Sequence, residues 1–444
     1  MSINNGATCM VGALSLSASV DATAARELDD AAIAAVTACS LKTSKDSWGS
    51  AAGGLEQRVV ERNDITMEGG KAPLQVGSAI GDDGDPIISI SGEIPLAFEG
   101  RTFGSTVPTE TALGLILSSG LARVIRTPGT SATGTYISAN EFSVPSPSDD
   151  ATIVGGDIVA VEQTNGTFRF VKVVLRTDAG ATNTIKTMEP HGIPAASTAT
   201  VRQCHMFYSP VDNEPDGTAL VVQLAPKDEL HTIIAVGAQM AEFTAASDDG
   251  TGVNFGAMLR VPDGEFRDAV VITPSKPLYI GGAGAKALRT RVSPVRITAD
   301  VSASSAPVTT TTAVFPVRTW DVKISVKLIP VEDPGTRSGL SGMRVSSAAL
   351  SGTVTQAAPT TGVDFRNVVR ASRKHALTLT AAGANAAGNG FCVWIGAVEP
   401  TGDTPVKFSE DDRTQEVPFA AGDIAYASGS TEYLNTPWIL AFVC

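Results

Sequence analysis

Ile87-Ile88-Ser89-Ile90-Ser91-Gly92-Glu93-Ile94-Pro95-Leu96 alternates apolar and polar side chains, the period of a half-buried strand. It leads into Val107-Pro108-Thr109-Glu110-Thr111-Ala112-Leu113-Gly114-Leu115-Ile116-Leu117-Ser118-Ser119-Gly120, which reads as a short helix. Pro108 suits the first helical position, where its missing N–H is harmless, and Gly120 suits a left-handed stop. A strand feeding one short helix, inside a chain otherwise rich in strand and turn signals, is its most distinctive local pattern.

Downstream, residues 130–200 read as an inserted β module. Within it Ile158–Gln163 and Thr167–Val171 flank a turn carrying Asn165-Gly166, a strong short-range hairpin signal. Further strands are expected at Leu220–Leu224, His231–Met240 and Val253–Val261, with acidic, glycine-containing turns such as Asp248-Asp249-Gly250. Ser, Thr, Ala and Pro dominate residues 299–316, which read as a linker or a long exposed strand. Beyond it Val322, Ile324, Val326 and Leu328 alternate with Lys323, Ser325 and Lys327, and later strands are expected at 376–380, 391–398 and 438–443. Upstream, Leu14–Val20 alternates as a strand, Ala22–Cys39 reads as a helix, and residues 42–57 read as an arm. The expected organisation is a strand, helix and arm over 1–74, a first β domain over 75–298 with the insertion, a linker over 299–316 and a second β domain over 317–444. Gly-Asp-Ile recurs at 156–158 and 422–424, a weak hint of duplication.

The composition agrees with a mainly β chain. Of 444 residues 43% are hydrophobic and 18% charged, and there are 43 glycines and 25 prolines. Such a chain can bury a core and is not disordered. A formal charge of −13 argues against a protein that grips nucleic acid through counterion release. No window approaches the roughly 18 apolar residues of a membrane-spanning helix. The first basic residue is Arg26, so the amino-terminal stretch makes a poor signal peptide. Five scattered cysteines without Cys-x-x-Cys spacing argue against a zinc site or disulfide framework and fit folding in a reducing compartment.

Little in the sequence supports catalysis. Gly281-Gly282-Ala283-Gly284-Ala285-Lys286 lacks phosphate-loop spacing, and Asp82-Asp83-Gly84-Asp85 lacks the rest of a calcium loop. Cys204 and His205 are neighbours in a strand and point to opposite faces, so they cannot form a dyad; a buried thiol beside a surface imidazole is expected. His191, His231 and His375 have no partner at ligand spacing, and Glu410-Asp411-Asp412 reads as a solvated turn. No enzyme activity and no cofactor are expected.

Charge is distributed unevenly. Residues 286–374 carry 13 Lys/Arg against 5 Asp/Glu, a net of +8, whereas residues 375–444 carry 2 against 8, a net of −6. Residues 1–285 carry 18 against 33, a net of −15. Complementary patches of this kind can orient copies of one chain as they meet.

With the strand 87–96, the helix 108–121, the strands over 208–222 and 231–261, and Asp263-Gly264-Glu265-Phe266-Arg267-Asp268, the chain resembles tail tube (major tail) proteins of long, non-contractile bacteriophage tails. The resemblance covers about residues 75–300. It implies tail-tube-like β-sandwich or barrel domains with a short flanking helix. At this length it further implies two such domains in one chain, although the second half has no clear match to the 108–121 helix and offers only 364–372 as a candidate. Copies would join edge to edge as homotrimeric pseudo-hexameric or hexameric rings, and rings would stack into a tube in the virion, assembled in the host cytoplasm. The other partners would be the tape measure, tail terminator and tail tip proteins. DNA would pass without tight binding, and no membrane is involved.

Under that reading Arg366, Arg370 and Arg373 are the candidate inter-ring contacts. Asp82, Asp83, Asp149, Asp150, Asp212, Glu214, Asp248 and Asp249 are the candidate acidic channel lining. Two other classes share parts of the composition. A capsid-decorating or fibre-like structural protein would lack the helix after a strand. A secreted carbohydrate-binding sandwich would want an aromatic platform, and only 5% of residues are aromatic.

Overall fold

A computed structural model of the chain describes residues 9–15, 59–62, 66–71, 87–105, 107–108, 111–145, 153–178, 180–210, 220–226, 231–247, 252–261, 263–268, 286–290, 295–298, 312–315, 317–332, 340–357, 375–382, 389–402, 406–408, 413–422 and 436–444. These residues are mainly strand. In chain order they form β1 (Cys9–Ser15), β2 (Val59–Arg62), β3 (Thr66–Lys71), β4 (Ile87–Glu99), the helix α1 (Ala112–Ser118) and β5 (Ala122–Val124). Next come β6 (Ser131–Ser138), β7 (Glu141–Pro145), β8 (Ile158–Glu162), β9 (Phe168–Asp178), β10 (Thr182–Thr187) and β11 (Thr198–Arg202). They are followed by β12 (Cys204–Tyr208), β13 (Leu220–Pro226), β14 (His231–Ser247), β15 (Val253–Val261), β16 (Asp263–Asp268), β17 (Val295–Thr298) and β18 (Thr312–Phe315). The last are β19 (Val317–Glu332), β20 (Leu340–Ala357), β21 (Leu377–Ala382), β22 (Gly390–Ile395), β23 (Ala397–Pro400), β24 (Val406–Phe408), β25 (Arg413–Gly422) and β26 (Trp438–Val443).

Three layers result. A seven-stranded sheet, ordered β18-β17-β21-β22-β26-β12-β5, lies in the middle. Strands β21, β22, β26 and β12 are buried at every residue, so both faces of the sheet are covered. Their continuous apolar runs, Gly390–Ile395 and Trp438–Val443, follow from that double burial, because neither face needs a polar residue. Period two sorts each strand between two cores. Phe391, Val393, Ile395, Trp438, Leu440 and Phe442 enter one core, and Cys392, Trp394, Ile439, Ala441 and Val443 the other.

The first core is shared with a 13-stranded sheet, whose main path runs β13-β1-β2-β4-β15-β14-β19-β20-β25-β23. The alternation read in β19 holds: Val322, Ile324, Val326 and Leu328 are buried in this core while Lys323, Ser325 and Lys327 face outward. The second core faces a closed barrel, β10-β7-β6-β11-β8-β9, which spans Ser131–Arg202 between β5 and β12. In β8, Val159 and Val161 fill the barrel while Ile158 and Ala160 pack on the middle sheet. The Asn165-Gly166 turn joins β8 to β9, with Gly166 at φ +75°. Arg126, just past β5, holds the barrel's Asp157 through bonds of 2.8 and 3.0 Å to its two carboxylate oxygens.

Strands on either side of residues 299–316 are not sorted into separate sheets. β14 pairs with β19 in the large sheet, and β12 pairs with β26 in the middle one. Residues 312–315, within the expected linker, form β18 against β17. Pairing across this segment hides edges that two sequential domains would each leave open. The strand expected at 391–398 divides at Gly396: β22 stays in the middle sheet, while β23 crosses to pair with β25 in the large one. The amino-terminal helix expected at 22–39, the arm at 42–57 and the second-helix candidate at 364–372 lie outside the described residues.

The helix forms, with different ends from those expected. Thr111 is its N-cap, its Oγ1 accepting the Gly114 N–H at 3.0 Å, and Pro108 lies before the helix and accepts the Thr111 N–H and hydroxyl. Gly120 is not left-handed. A Cβ there would sit 2.9 Å from the Met240 carbonyl oxygen, so glycine is required by the close approach of β14. Gly120→Val is therefore expected to cost about 1–3 kcal/mol by overpacking. Urea denaturation checks this, and an unchanged midpoint would contradict it.

Candidate assembly surface

One face of the large sheet packs into the core, and on the other the described side chains are exposed or half-buried. Across β4, β15, β14, β19, β20 and β25 the open face carries small side chains such as Ala97, Thr244, Ala246, Ser325, Ser351 and Thr353. Charges on it are partly self-neutralising. Arg260 pairs with Glu93 at 3.2 Å across β15 and β4, and Lys323 pairs with Glu242 across β19 and β14. Exposed pairs like these add only about 0–1 kcal/mol each, so their larger effect is on the field of the surface.

The two ends of this face differ. Beyond Ser325 no pairing of β19 with β14 is found, and the last pairing of β20 with β25 is at Ser351, so residues 327–332 and 340–347 pair only with each other among the described residues. This ribbon buries Leu328 and Val345 and turns Lys327, Ile329 and Arg344 outward, with Ile329 45% exposed. Arg344 lies directly opposite Ile329, so the two share a face. Neither Lys327 nor Arg344 has an ion-pair partner among the described residues. Toward the other end stands Asp321, whose carboxyl is pushed up from the usual range by burial and by the neighbouring Glu416 charge. Asp321 likewise lacks an ion-pair partner among the described residues.

A second concentration of charge is buried where the barrel meets the middle sheet. Lys172 on β9 is wholly buried, with its ammonium 3.8 Å from the centre of the Trp394 ring on β22. Glu189 joins the two: Oε1 accepts the Trp394 indole N–H at 2.8 Å, and Oε2 accepts the Lys172 backbone N–H at 2.8 Å. Burial pushes Lys172 down to about 7 against the opposing pull of Glu189, and pushes Glu189 up. With so little solvent access, this cluster is a structural clamp.

The imidazoles and thiols offer no reactive site among the described residues. His205 is buried, not at the surface as expected, because the sheet face opposite Cys204 is also covered; its ring lies edge-on 5.7 Å from Phe103. Its Nδ1 accepts the Arg126 N–H, and burial together with Arg126 holds its pKa down at about 4. His191 donates from Nε2 to the Ser138 carbonyl oxygen at 2.6 Å and accepts the Ile193 N–H at Nδ1, and His375 Nδ1 donates to the Thr298 carbonyl oxygen. Cys204, Cys392 and Cys444 are buried free thiols. No group of three His, Cys, Asp or Glu suited to a metal occurs among the described residues. None of their helices is long and apolar enough to cross a membrane.

Arg366, Arg370, Arg373 and all eight candidate channel acids (Asp82, Asp83, Asp149, Asp150, Asp212, Glu214, Asp248 and Asp249) lie outside the described residues. The charged ends of the open face went unremarked in the sequence, although the signal was present: Asp321 and Lys327 share the outward parity of β19. No protein-family model matches the chain, and no curated protein matches it.

Proposed function

We propose that the chain is a structural virion protein whose copies form homotrimeric pseudo-hexameric or hexameric rings. The rings stack into the tube of a long, non-contractile phage tail, a conduit for DNA ejection. The observation that carries this reading is the open face of the large sheet: broad, rich in small uncharged side chains, with Arg260 and Lys323 tied to acids on adjacent strands and the exposed Lys327 and Arg344 confined to one end. A duplex that slides past many rings must meet no row of exposed cations, since each contact with phosphate would release counterions and hold it. A sheet face of this kind suits such a lining, and the acidic turns named from sequence would add to it. Ring closure by edge pairing would satisfy exposed strand edges, and head-to-tail stacking gives an open filament.

The test is direct. Sedimentation over a concentration series is expected to show species far larger than 45.6 kDa, and negative-stain images to show rings or tubes with a hole. A low-salt gel shift is expected to show no tight binding of duplex DNA. Discrete trimers without a hole would favour a capsid-decorating protein, and tight salt-dependent DNA binding would overturn the conduit.

A further inference from the structure

We propose that the seam between the barrel and the middle sheet binds a small oxoanion of the size of phosphate, held by Arg296 of β17 and Arg169 of β9. The site lies on the barrel side of the middle sheet, away from the large sheet, and does not depend on the ring reading. Val295 and Ile297 enter the core shared with the large sheet, so Arg296 between them points to the barrel side. Arg296 stands opposite Thr378, and Thr378 stands opposite Trp394. The Arg296 and Trp394 backbones are therefore about 10 Å apart at ~4.8 Å per strand. Trp394 meets the Lys172 ammonium and the Glu189 carboxylate where the barrel packs on the sheet. Arg169 lies three residues before Lys172 on β9, and Arg296 and Glu189 are the charges that bear on it.

Charge along this seam does not balance. Three basic groups, Lys172, Arg169 and Arg296, gather about one carboxylate, and Glu189 is already engaged by the Trp394 indole and the Lys172 backbone N–H. Arg169 has contacts within the chain. Arg296 is half-buried, yet it has no ion pair among the described residues, and no carboxylate offsets the effect of burial on it. Burial lowers both guanidinium groups, and the like charge of Arg296 adds to the fall of Arg169 to about 10. Two like charges in a half-buried site lose hydration and repel each other, and an anion between them relieves both costs. A guanidinium presents its donors as a fixed fork, which matches the paired oxygens of an oxoanion; a halide offers no such pair. Thr378, buried between Arg296 and Trp394, adds a hydroxyl to the same face.

The experiment titrates inorganic phosphate into the full-length protein by calorimetry, with ionic strength held constant by sodium chloride. Saturable binding is expected, with half-saturation at or below about 1 mM. Phosphate is also expected to raise the melting temperature where chloride at equal ionic strength does not. Arg296→Gln is expected to weaken binding at least about tenfold, with an unchanged circular dichroism spectrum, because it removes a charge-assisted contact. Arg296→Lys keeps the charge without the fork and is expected to fall between Arg296→Gln and wild type. Lys327→Gln, an exposed cation outside the seam, is expected to bind phosphate as wild type does. A wild type without saturable binding would overturn the site, and so would an Arg296→Gln protein that binds as tightly as wild type. Loss of binding in Lys327→Gln would place the anion elsewhere and overturn the assignment. If Arg296→Gln loses its native spectrum, Arg296→Lys takes its place, and wild-type affinity there would overturn the contact. Ring assembly is tested separately by sedimentation, so neither result stands in for the other.

Discussion

Replacing Phe442 with alanine is expected to destabilise the protein by about 3–5 kcal/mol. Phe442 lies in the middle of the three layers on β26, fully buried, with its ring 4.7 Å from that of Phe103 and 4.9 Å from that of Phe391. Phe207 and Phe255 complete the cluster at 6.0 and 6.5 Å. Truncation removes a large apolar surface and leaves a cavity that the surrounding backbone cannot fill. Strand β26 is fixed by β22 on one side and β12 on the other, and its opposite face packs toward the barrel. The melting temperature is expected to fall by roughly 6–15 °C, taking a few degrees per kcal/mol in a large domain. Phe442→Leu keeps most of the volume and is expected to cost less. A Phe442→Ala protein within ~1 kcal/mol of wild type would mean that the layers are not packed through this cluster.

The clamp between barrel and sheet is expected to respond in opposite directions to removal of one charged member and of both. Glu189→Ala strips the partner from the Trp394 indole N–H and the Lys172 backbone N–H and leaves a buried ammonium. About 3–5 kcal/mol should be lost. Lys172→Met keeps the packed stem but leaves the Glu189 carboxylate buried without its ammonium, so it too is expected to destabilise. Lys172→Met with Glu189→Gln removes both charges and is expected to be neutral or stabilising by about 1–4 kcal/mol. The pH dependence has a definite sign. Lys172 falls to about 7 in the folded protein, below its ordinary value near 10.4. Between those values the unfolded chain binds more protons than the folded one, so the stability of the wild type gains as pH rises. The cost of Lys172→Met relative to wild type should therefore be smallest below pH 7 and grow toward pH 10. Urea titrations at pH 6 and pH 9 measure it, and a gap that does not change with pH would contradict the burial of this charge.

Much of the local structure was legible in the chain. The alternation of β19, the Asn165-Gly166 hairpin and the apolar stretch of α1 each follow from side chains within a few residues of one another, and each formed. The limits of such reading appear where the deciding neighbour is remote. Pro108 is a permissible helix start, but the Thr111 hydroxyl reaches the Gly114 N–H and sets the cap three residues later. Gly120 looks like a left-handed stop, yet the requirement comes from Met240, which is 120 residues away in sequence.

The candidate site divides in the same way. The outward parity of Asp321, Lys323 and Lys327 is fixed by the two-residue period of a strand, which the backbone imposes wherever the strand ends up. The sequence by itself therefore determines a mainly β chain, the alternation of its strands and an acidic whole with one basic stretch. It does not determine which strands are neighbours, because backbone hydrogen bonding between strands is nearly indifferent to side-chain identity. That is why β14 could join β19 and β12 could join β26 across an apparent linker. The burial of His205, the pairing of Lys323 with Glu242 and the exposure of Asp321 and Lys327 at opposite ends of one face were settled only when the sheets stacked. Whether a side chain is covered depends on the layer above it, and that layer is made of residues far away in the chain.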